Sequence, residues 1–317
     1  MTRFVLSRLL LLVIGLLVAS ALIFFTLRLL SGNVAQVIAG TQSSPAQVAA
    51  ITKSLGLDRP LLVQYGSWLV GIVHGDLGSS LVTGSPVSQQ LAQKLSVTLP
   101  LAGLSLVIGL VLGIPLGVLS ALRRRRISGT IISVVAQAFA AVPAVWGGMI
   151  LIAVFAVALK ILPTQGYPTD GWAEPGQALR SLFLPALTIG VIEGAVLLRF
   201  TRSATLSALD DDYVRTAAAK GLTRTQAVIR HGLPNVMLSV VSVLGVQIAA
   251  LIVGAVLVEQ LFNLPGVGRM LVSDVGVRDL TKVQGELLAL TGLVLIVGFV
   301  VDLVHRSVDP RLREVGE

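Results

Sequence analysis

Cysteine is absent from the 317 residues, which excludes a disulfide framework, a thiolate nucleophile and any cysteine-ligated metal. Charge is scarce. Asp, Glu, Lys and Arg make up 13% of the chain against 54% apolar residues, and the mean hydropathy is +0.89, a balance that excludes an ordinary soluble domain. Histidine occurs three times, at His74, His231 and His305, and neither a His-Glu-x-x-His nor a Gly-x-Ser-x-Gly motif is present. No Gly-Lys dipeptide occurs, so the loop that holds nucleotide phosphates in P-loop ATPases is missing as well. The expectation is a chain with no catalytic role, no metal site and no cofactor of its own.

What the sequence does contain is long apolar runs. Positions 9–27, 97–122, 127–159 and 232–258 carry no charge, and each is near or above the roughly 20 residues that cross a bilayer as helix. Two weaker runs, one holding Glu193 and one bounded by Glu286 and Asp302, complete a set of six. These runs predict an all-α integral membrane protein with spans at about 9–30, 97–122, 130–159, 181–203, 234–260 and 284–305. Of the 24 Lys and Arg residues, 15 fall in segments 1–8, 123–129, 199–235 and 305–317, which places those segments and both termini in the cytoplasm. The net charge of +8 then needs no nucleic acid, and Arg123–Arg126 reads as an anchor to anionic membrane lipid. Ala19-Ser20-Ala21 resembles a signal-peptide cleavage site, but the apolar run continues to Leu27, so the first span is expected to stay uncleaved.

Segment 31–96 is expected outside, with two short helices. Ser44-Pro45 opens the first and Gly56 closes it; Asp58-Arg59-Pro60 opens the second, on which Leu61, Leu62, Tyr65, Trp68, Leu69, Ile72 and Val73 form one apolar face. Residues 74–80 read as a turn cluster.

Inside the spans, Gly109, Gly113 and Gly117 recur every fourth residue, as do Gly190 and Gly194, so both helices present small faces for close packing. Pro115 and Pro143 fall inside the second and third spans as candidate kinks. Glu193 is the one acid well inside a span. It is a candidate for the translocation path, with helix packing as the alternative role.

The polar stretch 205–232, between spans four and five, predicts two short helices around Gly221. Asp210–Asp212 start the first, Gly221 supplies the bend, Thr223 caps the second, and Pro234 opens span five. A compact, basic helix–turn–helix on the cytoplasmic side suits docking into a partner's groove.

Gly221, nine residues, then His231-Gly232-Leu233-Pro234 resembles the EAA loop of permease subunits in ATP-binding-cassette (ABC) importers. Ala217, Gly221, Leu233 and Pro234 match that pattern, while Arg215 and Thr216 replace its Glu and first Ala, and His231 its Ile. Tyr213-Val214-Arg215-Thr216-Ala217 with Lys220-Gly221-Leu222 is similar to the dipeptide, oligopeptide and nickel branch. So are the stretch from Leu55-Gly56-Leu57-Asp58-Arg59-Pro60 to Gly75–Ser80 and Glu259 with Phe262, Pro265-Gly266 and Gly268.

The resemblance implies a type I permease bundle in the bacterial cytoplasmic membrane. Its partners would be a second, similar permease chain, two ATPase subunits that bind ATP and Mg²⁺, and an extracytoplasmic substrate-binding protein. It also implies an ATPase-coupling set of Asp212, Arg215, Ala217, Lys220, Gly221, Leu233 and Pro234, with Ala217 and Gly221 at the points of closest approach. Trp68, Asp76 and Glu259 are candidate contacts for the binding protein. Peptides are the expected substrates. Nickel or glutathione is the alternative, and nickel is disfavoured by the lack of cysteine and by a single external histidine, His74. A stand-alone secondary transporter, or a membrane scaffold, is the competing class; neither accounts for the Gly221-to-Pro234 spacing.

Overall fold

Wherever a chain crosses hydrocarbon its backbone groups must pair within the segment, and among the described residues the regular structure of this chain is helical, with no strand. The computed structural model describes residues 2–30, 34–39, 43–54 and 56–308; the side chains of Leu30, Val34, Val37, Ile38, Arg215, Ala218, Arg224 and Val308 lie outside that description.

Helices α1 (Thr2–Leu30), α2 (Val34–Ala39), α3 (Pro45–Ser54) and α4 (Leu61–Val73) precede the long α5 (Val87–Leu122). Then come α6 (Ile127–Ala141), α7 (Ala144–Leu151, continued by a π-helical turn over Ile152–Ala158), and α8 (Pro175–Asp210). Helices α9 (Asp212–Ala219) and α10 (Arg224–Ala227) lead through a π-helical turn, Val228–Gly232, into α11 (Leu233–Leu261); α12 (Val267–Gly276) and α13 (Leu280–Val308) follow.

Five helical stretches are long and apolar enough to span a membrane, and a sixth span arises if α6 and α7 count as one. The third run, expected over 130–159 with Pro143 as a candidate kink, is broken at that proline. It bends by 106° at Val142-Pro143. Val142 is extended (φ −77°, ψ 125°), as the ring of a following proline demands, and this stops α6. Pro115 produces no such break: α5 runs past it to Leu122. Helix α8 also exceeds its expected span, continuing to Asp210, so the polar loop proper begins later than position 205.

The chain divides into two compact units, Met1–Arg8 with Thr98–Pro265 and Val297–Glu317, and Leu9–Val97 with Gly266–Ile296.

In the first unit the two glycine stripes meet. A Cβ at Gly113 would stand 2.8 Å from the Gly194 carbonyl oxygen, and one at Gly190 would stand 2.7 Å from the Ile108 side chain. Helices α5 and α8 therefore approach to backbone contact, the packing that substitutes for hydrophobic drive in lipid. Helix α11 joins them through Leu197, Ala208, Val236 and Val240, with Leu110 and Ile114 packed against that group. Ala136, Ala195 and Leu198 seat α6 on α8.

In the second unit Ser44 and Gln47 cap α3 reciprocally: Ser44 Oγ accepts from the Gln47 amide at 3.3 Å and Gln47 Oε1 from the Ser44 amide at 2.9 Å. The face expected on α4 is only half used. Tyr65 and Trp68 stack against Phe24 of α1, with ring centroids 5.4 and 5.9 Å away, whereas Leu62 and Val73 are exposed. The turn cluster 74–80 is held by α13: the Gly78 amide donates to Asp76 Oδ1, and the bare face of Gly78 (φ 90°) lies so close to Thr281 that a Cβ there would stand 2.7 Å from its methyl.

Candidate functional site

The segment expected to couple the chain to a partner folds as its own small core on the first unit. Val214 and Ala217 of α9 pack against Ala227 and Val228, with Leu122, Leu209, Tyr213 and Leu222 around them. Spacing explains the arrangement, since positions 214 and 217 lie on one face of α9. Leu122 ends α5 and Leu209 is the last residue but one of α8, so the loop rests on the ends of two long helices. Arg124 adds an exposed ion pair to Asp210 at 3.4 Å, a contact of small energetic weight.

Gly221 makes the bend. Its φ is +97°, a region where a side chain is strained, and the space beside its Cα is open, with no atom within 4 Å of an added Cβ. Thr223 caps the next helix as expected. The Gln226 amide donates to Thr223 Oγ1 at 3.3 Å and the Thr223 amide to Gln226 Oε1 at 3.1 Å, a reciprocal box. Pro234 occupies the first turn of α11, directly after the π-helical turn Val228–Gly232.

The predicted coupling residues separate into two groups. Asp212, Lys220, Gly221 and Pro234 are exposed, and Leu233 is half-buried against the α8–α11 core. Ala217 is 8% exposed, and its methyl faces the loop's own core. This corrects the expectation that Ala217 is a point of close approach for a partner; its small size instead lets α9 pack on the following turn. Arg215 lies in α9, with its side chain outside the described residues. Ile229, absent from the predicted set, is 53% exposed in the π-helical turn that leads into α11. Its signal in the sequence is an isoleucine that directly precedes the polar pair Arg230-His231.

Inside the membrane Glu193 faces α11. Gln247 Nε2 donates to Glu193 Oε2 at 2.7 Å, and Leu106, Leu110, Leu197, Leu244 and Leu251 surround the pair. Gln247 is likewise absent from the predicted set, although an amide between two apolar runs is an unusual residue in a span.

Two of the candidate contacts for the binding protein turn inward. Glu259 is 0% exposed and accepts a 2.6 Å hydrogen bond from Thr98 Oγ1, so it is no surface contact of this chain. Trp68 is half-buried in the aromatic group with Phe24 and Tyr65, because the face of α4 that carries it is spent on α1. Asp76 remains exposed in its turn.

Two family descriptions match almost end to end: "Binding-protein-dependent transport system inner membrane component" over residues 113–314 and the membrane component's N-terminal region over 1–102. The chain belongs to this permease family. Relatives include the glutathione transport system permease protein GsiC of Salmonella choleraesuis (strain SC-B67) and that of Escherichia coli (strain K12). Each is 36% identical over 313 residues, covering 99% of both chains. Two solved structures of the MetNI methionine ABC transporter in inward-facing conformations share the fold. TM-scores are 0.59 and 0.55 at 19% identity, over 70% of this chain and 97% of theirs. The molecule is thus a multi-pass permease of the ABC importer type.

Proposed function

We propose that this permease forms half of a transmembrane path for di- and oligopeptides, working with a second permease chain, two ATPase subunits that bind ATP and Mg²⁺, and an extracytoplasmic binding protein. Both termini and the Asp212–Gly232 loop face the cytoplasm, where the excess of Lys and Arg lies. The loop docks on the ATPases. Their closure on ATP moves it as a rigid lever that tilts α8 and α11, which opens the path alternately to the two sides.

The observation that carries this reading is the Gly221 bend: an open, positive-φ turn between the short α9 and a helix that runs unbroken from Thr225 into α11, the two sharing a core with the ends of α5 and α8. A loop that merely joined two spans would need neither the internal core nor the bare, accessible backbone at its tip. Lys220 adjoins that tip, and Asp212 and Ile229 are exposed elsewhere on the loop; together they supply its polar and apolar contacts.

The test is retention of the ATPases on the purified complex. Gly221→Arg puts a long side chain into the docking space, and the expected result is loss of ATPase subunits from a permease still present in the membrane. Normal retention in this variant would sink the coupling role of the loop.

Glutathione is the second reading for the substrate, favoured by the relatives at 36% identity. It shares peptide bonds and a free ammonium group with short peptides. Competition between unlabelled glutathione and a labelled tripeptide for uptake separates the two. Inhibition only by peptides supports the first reading, and efficient glutathione uptake the second.

A further inference from the structure

Glu193 is the nineteenth residue of the 36-residue α8, and Gln247 is the fifteenth of the 29-residue α11. The pair therefore sits near the middle of both helices, well away from their ends. Among the described residues no Lys, Arg or His pairs with this carboxylate; ion pairs elsewhere join Arg8 to Asp302, Arg124 to Asp210 and Lys282 to Asp274. Its neighbours are leucines and the amide of Gln247, whose Nε2 holds Oε2 and leaves the group half-buried rather than sealed.

A packing role alone does not account for this arrangement. The small faces that bring α5 and α8 together use Gly109, Gly113, Gly190 and Gly194, and those contacts are complete without a carboxylate. An acid at mid-membrane costs several kcal/mol unless a cation or a water-filled path meets it. Alanine or leucine at position 193 would pack there without that cost. Gln247 fixes the carboxylate's direction as a neighbouring donor does at a binding site, but supplies no charge.

We propose that Glu193, oriented by Gln247, receives the ammonium group of the substrate midway across the membrane. The proposal rests on the importer reading and deepens it. It also holds for both substrate readings, because an unblocked peptide and glutathione each carry a primary ammonium. The carboxylate offers a passing cation one charge-assisted contact between two apolar stretches, strong enough to admit the group and single enough to release it.

The absence of cysteine makes the test direct, since Glu193→Cys introduces the only thiol of this chain. Membrane vesicles holding the whole complex are treated with a sulfonatoethyl or a trimethylammonioethyl methanethiosulfonate, with the unsubstituted complex treated alongside as the blank. Uptake of a tripeptide with a free amino terminus is then measured. Glu193→Cys is expected to lower uptake roughly tenfold, the loss of one charged hydrogen bond. The anionic adduct restores most of it, and the cationic adduct does not.

Equal effects of the two adducts, or a thiol that neither reagent reaches, would overturn the proposal. Glu193→Gln serves as the second variant, since it keeps an oxygen for Gln247 and removes only the charge. Full uptake by Glu193→Gln, or release of the partner permease from it on purification, would also overturn the proposal, the latter by making Glu193 an interface residue. If the unsubstituted complex takes up no tripeptide, the peptide reading alone fails, and reagent access to the thiol still decides the role of Glu193.

Discussion

Ser80 donates its hydroxyl hydrogen to a carboxylate oxygen of Asp279, 199 positions away in the chain, and both residues are buried. Asp279 Oδ1 also accepts from the amides of Leu81 at 3.1 Å and Lys282 at 3.4 Å. One carboxylate thus closes the turn after α4 and caps the first turn of α13. Nearby, Lys282 Nζ meets Asp274 at 2.8 Å, so the second unit is held together by buried polar contacts as well as by Leu91, Val267 and Met270.

Asp279→Ala leaves Ser80 and two amides without their acceptor in a buried place. The expected loss is about 3 kcal/mol, toward the upper end for a hydrogen-bonded charged group. Asp279→Asn keeps one acceptor oxygen and loses less. Thermal unfolding of the detergent-purified protein should rank the three chains wild type, Asn, Ala.

Two substitutions in the docking loop should differ in kind. Ala217→Leu overfills the core of Val214, Ala227 and Val228, at a cost of about 1–3 kcal/mol, and loosens the loop itself. Gly221→Arg strains only the bend. Limited proteolysis from the cytoplasmic side should cut the first variant between residues 212 and 232, while the second stays protected yet fails to hold ATPase.

Ile229 exposes an apolar side chain on a polar loop, and its burial against a partner is worth about 1.5–3 kcal/mol. Ile229→Asp should therefore weaken ATPase binding at least tenfold, a change readable by titrating ATPase onto the reconstituted permease. Ile229→Leu should bind normally.

Gly113→Leu drives a side chain into the Gly194 carbonyl and Leu197, whereas Gly103, on the same helix, has no atom within 4 Å of an added Cβ. Gly113→Leu should reduce the amount of folded protein recovered from membranes, and Gly103→Leu should not. Equal recovery would mean that α5 and α8 do not pack through their glycines in the membrane.

Features that depend on neighbouring residues are legible in the amino-acid order. The capping boxes at Ser44 and Thr223 and the positive φ at Gly221 follow from short-range chemistry. Proline is less legible. Val142-Pro143 breaks its helix while α5 passes Pro115, because a helix can lose one hydrogen bond and continue where packing on both sides holds its course. Trp68, Ala217 and Glu259 illustrate a different gap. Residue type and position suggest contacts with another protein for all three, yet Ala217 and Glu259 are buried in this chain and Trp68 is half-buried against Phe24.

By itself, the sequence determined that this is a helical membrane protein with a polar loop bent at Gly221. Hydropathy, caps and turn residues act over a few positions and survive any packing. Only the tertiary structure decided that Gln247 holds Glu193, that Asp279 closes a turn begun at Asp76, and that the two glycine stripes face each other. Periodicity states which residues share a face. What covers that face depends on helices far away in the chain, and their meeting is set by shape and hydrogen bonding that no local pattern encodes.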